Sequence, residues 1–95
     1  MPTPVPHPRL FRLGVSLGWW GALTVGANDP RVSLLLGIAM PVNNYDFNAV
    51  AASTKPKFLI HGEFDEICPE KHIREFYARS AEPKELAIIE GADHL

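Results

Sequence analysis

The chain has 95 residues, enough for one small domain that buries roughly two-thirds of the surface its unfolded form exposes. With 46% apolar residues, a net charge of −2 and no block of Lys or Arg, it lacks the basic footprint of a nucleic-acid binder, and a small neutral substrate fits better. Cys68 is the only cysteine, which excludes an internal disulfide framework and makes a reducing compartment, the cytoplasm, the expected one. The histidines His7, His61, His72 and His94 lie far apart without ligand-like spacing, so no metal site is expected.

Four prolines within Met1 to Pro8 preclude a helix or a central strand, so residues 1–9 read as an irregular lead-in and 10–95 as the domain. Leu10 to Val15 reads as a strand and Leu17 to Asn28 as a helix apolar nearly all round, which Asn28-Asp29-Pro30 ends. Arg9 and Arg12 before the apolar stretch Leu13 to Ala27 also resemble the layout of a secretory leader. That stretch is too short and glycine-broken to span a bilayer, so no membrane association is expected. A leader would also leave the downstream acid and histidine unexplained.

Val32 to Ala39 is a nearly continuous apolar run stopped by Pro41, the pattern of a strand covered on both faces of a parallel sheet. Asn43 to Asp46 is turn-rich, and Asp46 to Ser53 reads as a short helix with Asp46 as its cap. Tyr45 follows a strand end, where open α/β sheets bind ligands, so it is a candidate for substrate contact as well as a turn residue. Lys57 to His61 is a third strand, Glu63 to Pro69 a loop, and Pro69 to Ser80 a helix with Ile73, Phe76 and Tyr77 facing inward. Glu85 to Ile89 forms the last strand, followed by the loop Glu90 to Leu95. Strands alternating with helices indicate an α/β fold with a parallel sheet and right-handed crossovers.

Gly14-Val15-Ser16-Leu17-Gly18 carries G-x-S-x-G between the first strand and the first helix. A serine on such a sharp turn holds its hydroxyl clear of the sheet's carboxyl edge, and the helix N-terminus behind it favours developing negative charge. A nucleophile of this kind needs a base and an acid to orient the base. Asp65 and His94 follow in that order, each just after a predicted strand. Taken singly, Ser16 is also readable as a helix cap, Asp65 or Glu66 as a solvated loop acid and His94 as a terminal residue. Glu63, Glu66 and Asp93 compete for the acid role, and strand-end position favours Asp65.

Together with Pro41 to Phe47, the segment Ile60-His61-Gly62-Glu63-Phe64-Asp65-Glu66-Ile67-Cys68-Pro69 and Gly91-Ala92-Asp93-His94, this motif makes the chain resemble the C-terminal half of an α/β-hydrolase, most closely the small dienelactone-hydrolase-like predicted esterases. The resemblance covers Leu10 to Leu95. It implies a partial α/β-hydrolase fold of about four parallel strands with crossover helices, without the N-terminal half of the sheet. It further implies Ser16 as nucleophile, Asp65 as orienting acid, His94 as general base, the Leu17 N–H as an oxyanion donor, and no metal or organic cofactor. Trp19 and Trp20 depart from the small residue usual after the second glycine.

The function expected is a serine hydrolase of ester-like bonds working through an acyl-serine intermediate, truncated and weak or inactive alone because the loop supplying the second oxyanion donor has no counterpart. The alternative is a non-catalytic hydrolase-like remnant or interaction module. The first strand would be an open edge, along which the chain would pair with another copy of itself or with a separate N-terminal piece.

Overall fold

The computed structural model describes residues 15–18 and 20–94. Strands β1 (Val15–Gly18), β2 (Leu34–Ile38), β3 (Lys57–Gly62) and β4 (Lys84–Ile89) alternate with helices α1 (Trp20–Asn28), α2 (Asn48–Ala52) and α3 (Glu70–Arg79). Because a helix returns the chain between each pair of strands, all pairings are parallel, and the sheet keeps the sequence order β1-β2-β3-β4. The expected lead-in 1–9, the segment Leu10 to Gly14, Trp19 and Leu95 lie outside the described residues.

Successive parallel strands laid side by side with crossovers of one hand must carry their helices on one face. The burial pattern agrees. Leu23 from α1, Val50 from α2, and Ile73 and Phe76 from α3 form a single core with Leu35 and Leu59 of the sheet. Phe76 meets Phe47 edge-on with ring centroids 6.3 Å apart. On the opposite face Ile38 and Phe58 stay exposed and Leu36 and Ile60 are half-buried. The expectation of strands covered on both faces is therefore corrected: among the described residues the helices cover one face only.

A second correction concerns the first turn. Ser16 and Leu17 lie within β1, paired with Leu35 and Leu36, and the helix starts at Trp20 instead of Leu17. The backbone pairing with β2 runs on to Gly18, past the point where the motif suggested a bend. The remaining elements fall close to their expected bounds, and Asp46 accepts the Asn48 N–H at 2.8 Å, which satisfies an early amide of α2.

The helix C-termini point to the amino rim of the sheet, where their free carbonyls need donors. Three lysines meet them. Lys55 donates to Gly26 O and Asp29 O at the end of α1. The buried Lys57 ammonium donates to Ser53 O at 2.7 Å, Lys55 O at 3.2 Å and Ala81 O at 2.7 Å, which ties α2 to the loop before β4. Lys84 donates to Tyr77 O at 2.7 Å at the end of α3 and lies 4.5 Å from the centre of the Tyr77 ring. Burial and the nearby Lys84 charge push the Lys57 amine below the usual lysine range, against a smaller opposing effect of Glu82.

Candidate active site

The loops that follow β3 and β4 leave adjacent strands at the carboxyl edge and cross directly over each other. Glu63 N–H donates to Ile89 O at 3.0 Å and Phe64 N–H to Ala92 O at 2.7 Å, so the second loop is laid along the first. The crossing passes over Gly62, where an added Cβ would stand 2.0 Å from Asp93 O and 2.8 Å from Ala92 O. Any side chain there would push the β4 loop away. The turn at Gly91 has φ 77°, and its N–H donates to Glu63 Oε1 at 3.0 Å.

This crossing delivers His94 to Asp65. The His94 Nδ1–H donates to Asp65 Oδ2 at 2.7 Å. The Asp65 side chain is fully buried, while that of His94 is 39% exposed. Asp65 Oδ1 accepts the N–H groups of Ile67 and Cys68, each at 2.8 Å, so the acid folds its own loop around its charge. Burial alone would raise the Asp65 pKa; the Cys68 N–H, the His94 hydrogen bond and the nearby imidazoles outweigh it and hold the carboxyl below its ordinary value. A carboxylate that stays ionised in this position fixes the imidazole with its proton on Nδ1 and leaves Nε2 as the basic nitrogen.

Burial raises the Cys68 thiol above its usual range, as the Asp65 charge also does, against the N–H groups of Val42 and Asn43. Asn43 in turn donates its side-chain amide to Ile67 O at 3.0 Å, which joins the loop after β2 to the acid loop. Tyr45 lies on that same β2 loop and is 56% exposed. Of the rival acids, Glu63 holds the Gly91 amide and Glu66 and Asp93 are exposed. No group of three or more His, Cys, Asp or Glu side chains that could hold a metal ion occurs among the described residues.

Asp65 and His94 are thus brought together, and Ser16 is not. Ser16 pairs with Leu35, which pairs with Lys57 at the start of β3, whereas Asp65 follows the end of that strand at Gly62. At about 3.3 Å per residue the Ser16 backbone stands about 16 Å below the rim. Leu17, one position higher, is a strand residue here, not the first residue of a helix.

No family model matches the chain. An uncharacterized protein of Rickettsia prowazekii is 31% identical over 90 residues, which take in 86% of this chain and 38% of that protein. Among solved structures, an alpha-beta serine hydrolase homologue from Coxiella burnetii matches with a TM-score of 0.70 and 24% identity over 84% of this chain and 40% of its own. The esterase domain of a Rhodothermus marinus protein matches with a TM-score of 0.70 and 16% identity over 85% of this chain and 50% of its own. A Pyrococcus furiosus esterase matches with a TM-score of 0.65 and 16% identity, over 84% and 44%.

The chain adopts part of the α/β-hydrolase fold. It spans between 38% and 50% of the length of these relatives. No helix among the described residues is long and apolar enough to cross a membrane. Within the partial α/β-hydrolase fold, sequence reasoning overlooked His61. Its ring is fully buried and its Nε2 lies 2.6 Å from Cys68 O and 3.7 Å from Asp65 Oδ2. The available signal was a histidine closing an otherwise apolar strand four residues before the acid. The lysine caps were overlooked as well, although Lys57 and Lys84 each open a strand directly after a helix and its loop.

Proposed function

We propose that the chain carries the acid and base of a serine hydrolase that cleaves ester-like bonds through an acyl-serine intermediate, of the dienelactone-hydrolase-like kind. The observation that supports this best is the 2.7 Å hydrogen bond from His94 Nδ1 to the buried Asp65 carboxylate, on loops following adjacent parallel strands. In the reaction Ser16 Oγ attacks the carbonyl carbon while His94 Nε2 takes its proton. The tetrahedral intermediate then expels the alcohol, which leaves with that proton, and water attacks the acyl-serine by the same route. The Leu17 N–H serves as one donor to the oxyanion, and Tyr45 borders the substrate.

Ser16 enters on its G-x-S-x-G context. The role requires β1 to sit further toward the carboxyl edge than its present pairing with Leu35. The present register favours the second reading, a non-catalytic hydrolase-like remnant or interaction module. A fluorophosphonate probe separates them. Labelling of the purified chain that is lost in Ser16→Ala and falls sharply in His94→Gln supports the hydrolase; labelling that persists in Ser16→Ala contradicts the nucleophile. A chain that takes no label and leaves a p-nitrophenyl ester intact is the non-catalytic module.

A further inference from the structure

Among the described residues His61 is the one buried histidine, and one side of its ring is unaccounted for by packing alone. The ring is held between two acceptors on its Nε2 side: Cys68 O at 2.6 Å and Asp65 Oδ2 at 3.7 Å. A carbonyl oxygen can only accept, so Nε2 carries the proton and His61 is a donor. Its Nδ1 is buried and has no hydrogen-bond partner among the described residues, which fits a lone pair and leaves a second N–H without an acceptor. The neutral Nε2–H tautomer is therefore the form that this environment accommodates.

We infer that His61 is a positioning residue for the acid: its Nε2–H clamps the carbonyl at the far end of the Asp65–Cys68 turn and sets the direction in which Asp65 offers Oδ2 to His94. The turn is closed from two sides. Asp65 Oδ1 draws in the Ile67 and Cys68 amides from within, and His61 holds the Cys68 carbonyl from beneath. Released from the second hold, the Cys68 peptide can rotate, its amide leaves Oδ1, and the carboxylate turns with it. The secondary approach of Nε2 to Oδ2 adds a favourable dipole beside the buried charge without supplying a second ion. His61 acts through Asp65, and this role rests on the reading of Asp65 and His94 as acid and base.

The test is nitrogen-15 NMR of the full 95-residue chain, with His61→Gln and His61→Leu variants. Glutamine places an amide N–H close to the position of Nε2, and leucine removes the donor with little change of volume. The wild type is expected to show His61 with a protonated Nε2 and a bare Nδ1, and a far-downfield proton from His94 Nδ1–H. That proton is retained in His61→Gln and lost to solvent exchange in a His61→Leu protein whose amide spectrum remains dispersed. Retention in folded His61→Leu, loss in folded His61→Gln, or a His61 proton found on Nδ1 in the wild type would each overturn the inference. Should His61→Leu fail to fold, the wild-type tautomer and the glutamine variant decide it. A wild type without the His94 resonance would overturn the acid and base pair itself. Because Ser16→Ala leaves this resonance in place, a failure of the nucleophile registers only in probe labelling.

Discussion

Both oxygens of Asp65 are occupied, one by two amides and the other by an imidazole, in a position closed to water. Such a carboxylate keeps its charge because those donors outweigh desolvation, and its folded pKa lies below the unfolded value of about 3.9. The unfolded chain therefore binds this proton first as acid is added. The stabilisation is complete above about pH 5 and is lost as pH falls through the lowered folded value. Urea unfolding of the wild type is expected to shift to lower denaturant as pH drops below about 4, and Asp65→Asn to show a shallower fall. Equal slopes for the two proteins would show that the carboxylate is not held as described.

The meeting of Asp65 and His94 was legible in the sequence. Asp65 and His94 stood out because an acid and a histidine in loops behind strands reach the same rim of a parallel sheet whatever the details of packing. His61 did not, because its role depends on which carbonyl faces one ring nitrogen, and that is set by a turn seven residues on. Ser16 was misread as a turn residue for a related reason. The end of a strand is decided by its partner, and the partner of β1 is a segment about twenty residues away that offers apolar positions as far as Gly37.

At the scale of elements, the helices are short and their C-terminal carbonyls are met by lysines, Lys57 and Lys84 from the strands that follow α2 and α3 and Lys55 from the loop before β3. Lys57 is the most committed of these, with three carbonyls on one buried ammonium. Replacing it by methionine keeps the stem and strands those acceptors, at a cost of about 1–3 kcal/mol for leaving buried acceptors unmade. Chemical denaturation of Lys57→Met is expected to show that loss, with the downfield His94 proton unchanged because the site lies at the opposite rim. A variant as stable as the wild type would mean that water or a neighbouring donor replaces the ammonium without penalty.

Across the whole molecule the two faces of the sheet are unlike. Consecutive strand order sends the helices of the described residues to one side, so neighbours in sequence have opposite environments: Leu59 is 1% exposed and Phe58 40%. Leu59→Ala is expected to cost about 2–5 kcal/mol, and Phe58→Glu to change stability by less than about 0.5 kcal/mol while weakening self-association. Sedimentation should find the wild type associating with concentration and Phe58→Glu less so. A strictly monomeric wild type would count against association through either β1 or the face that bears Phe58. The alternation of strand and helix made the sheet legible in advance. The coverage of its faces was not, because a continuous apolar run looks the same whether one side or both will be packed.

The ammonium clamps and the imidazole–carboxylate pair sit at opposite ends of strands about 20 Å long. The two sets of contacts are thereby given separate handles. Acylating the lysines would loosen the scaffold from below while the imidazole and carboxylate above kept their geometry until the sheet itself came apart.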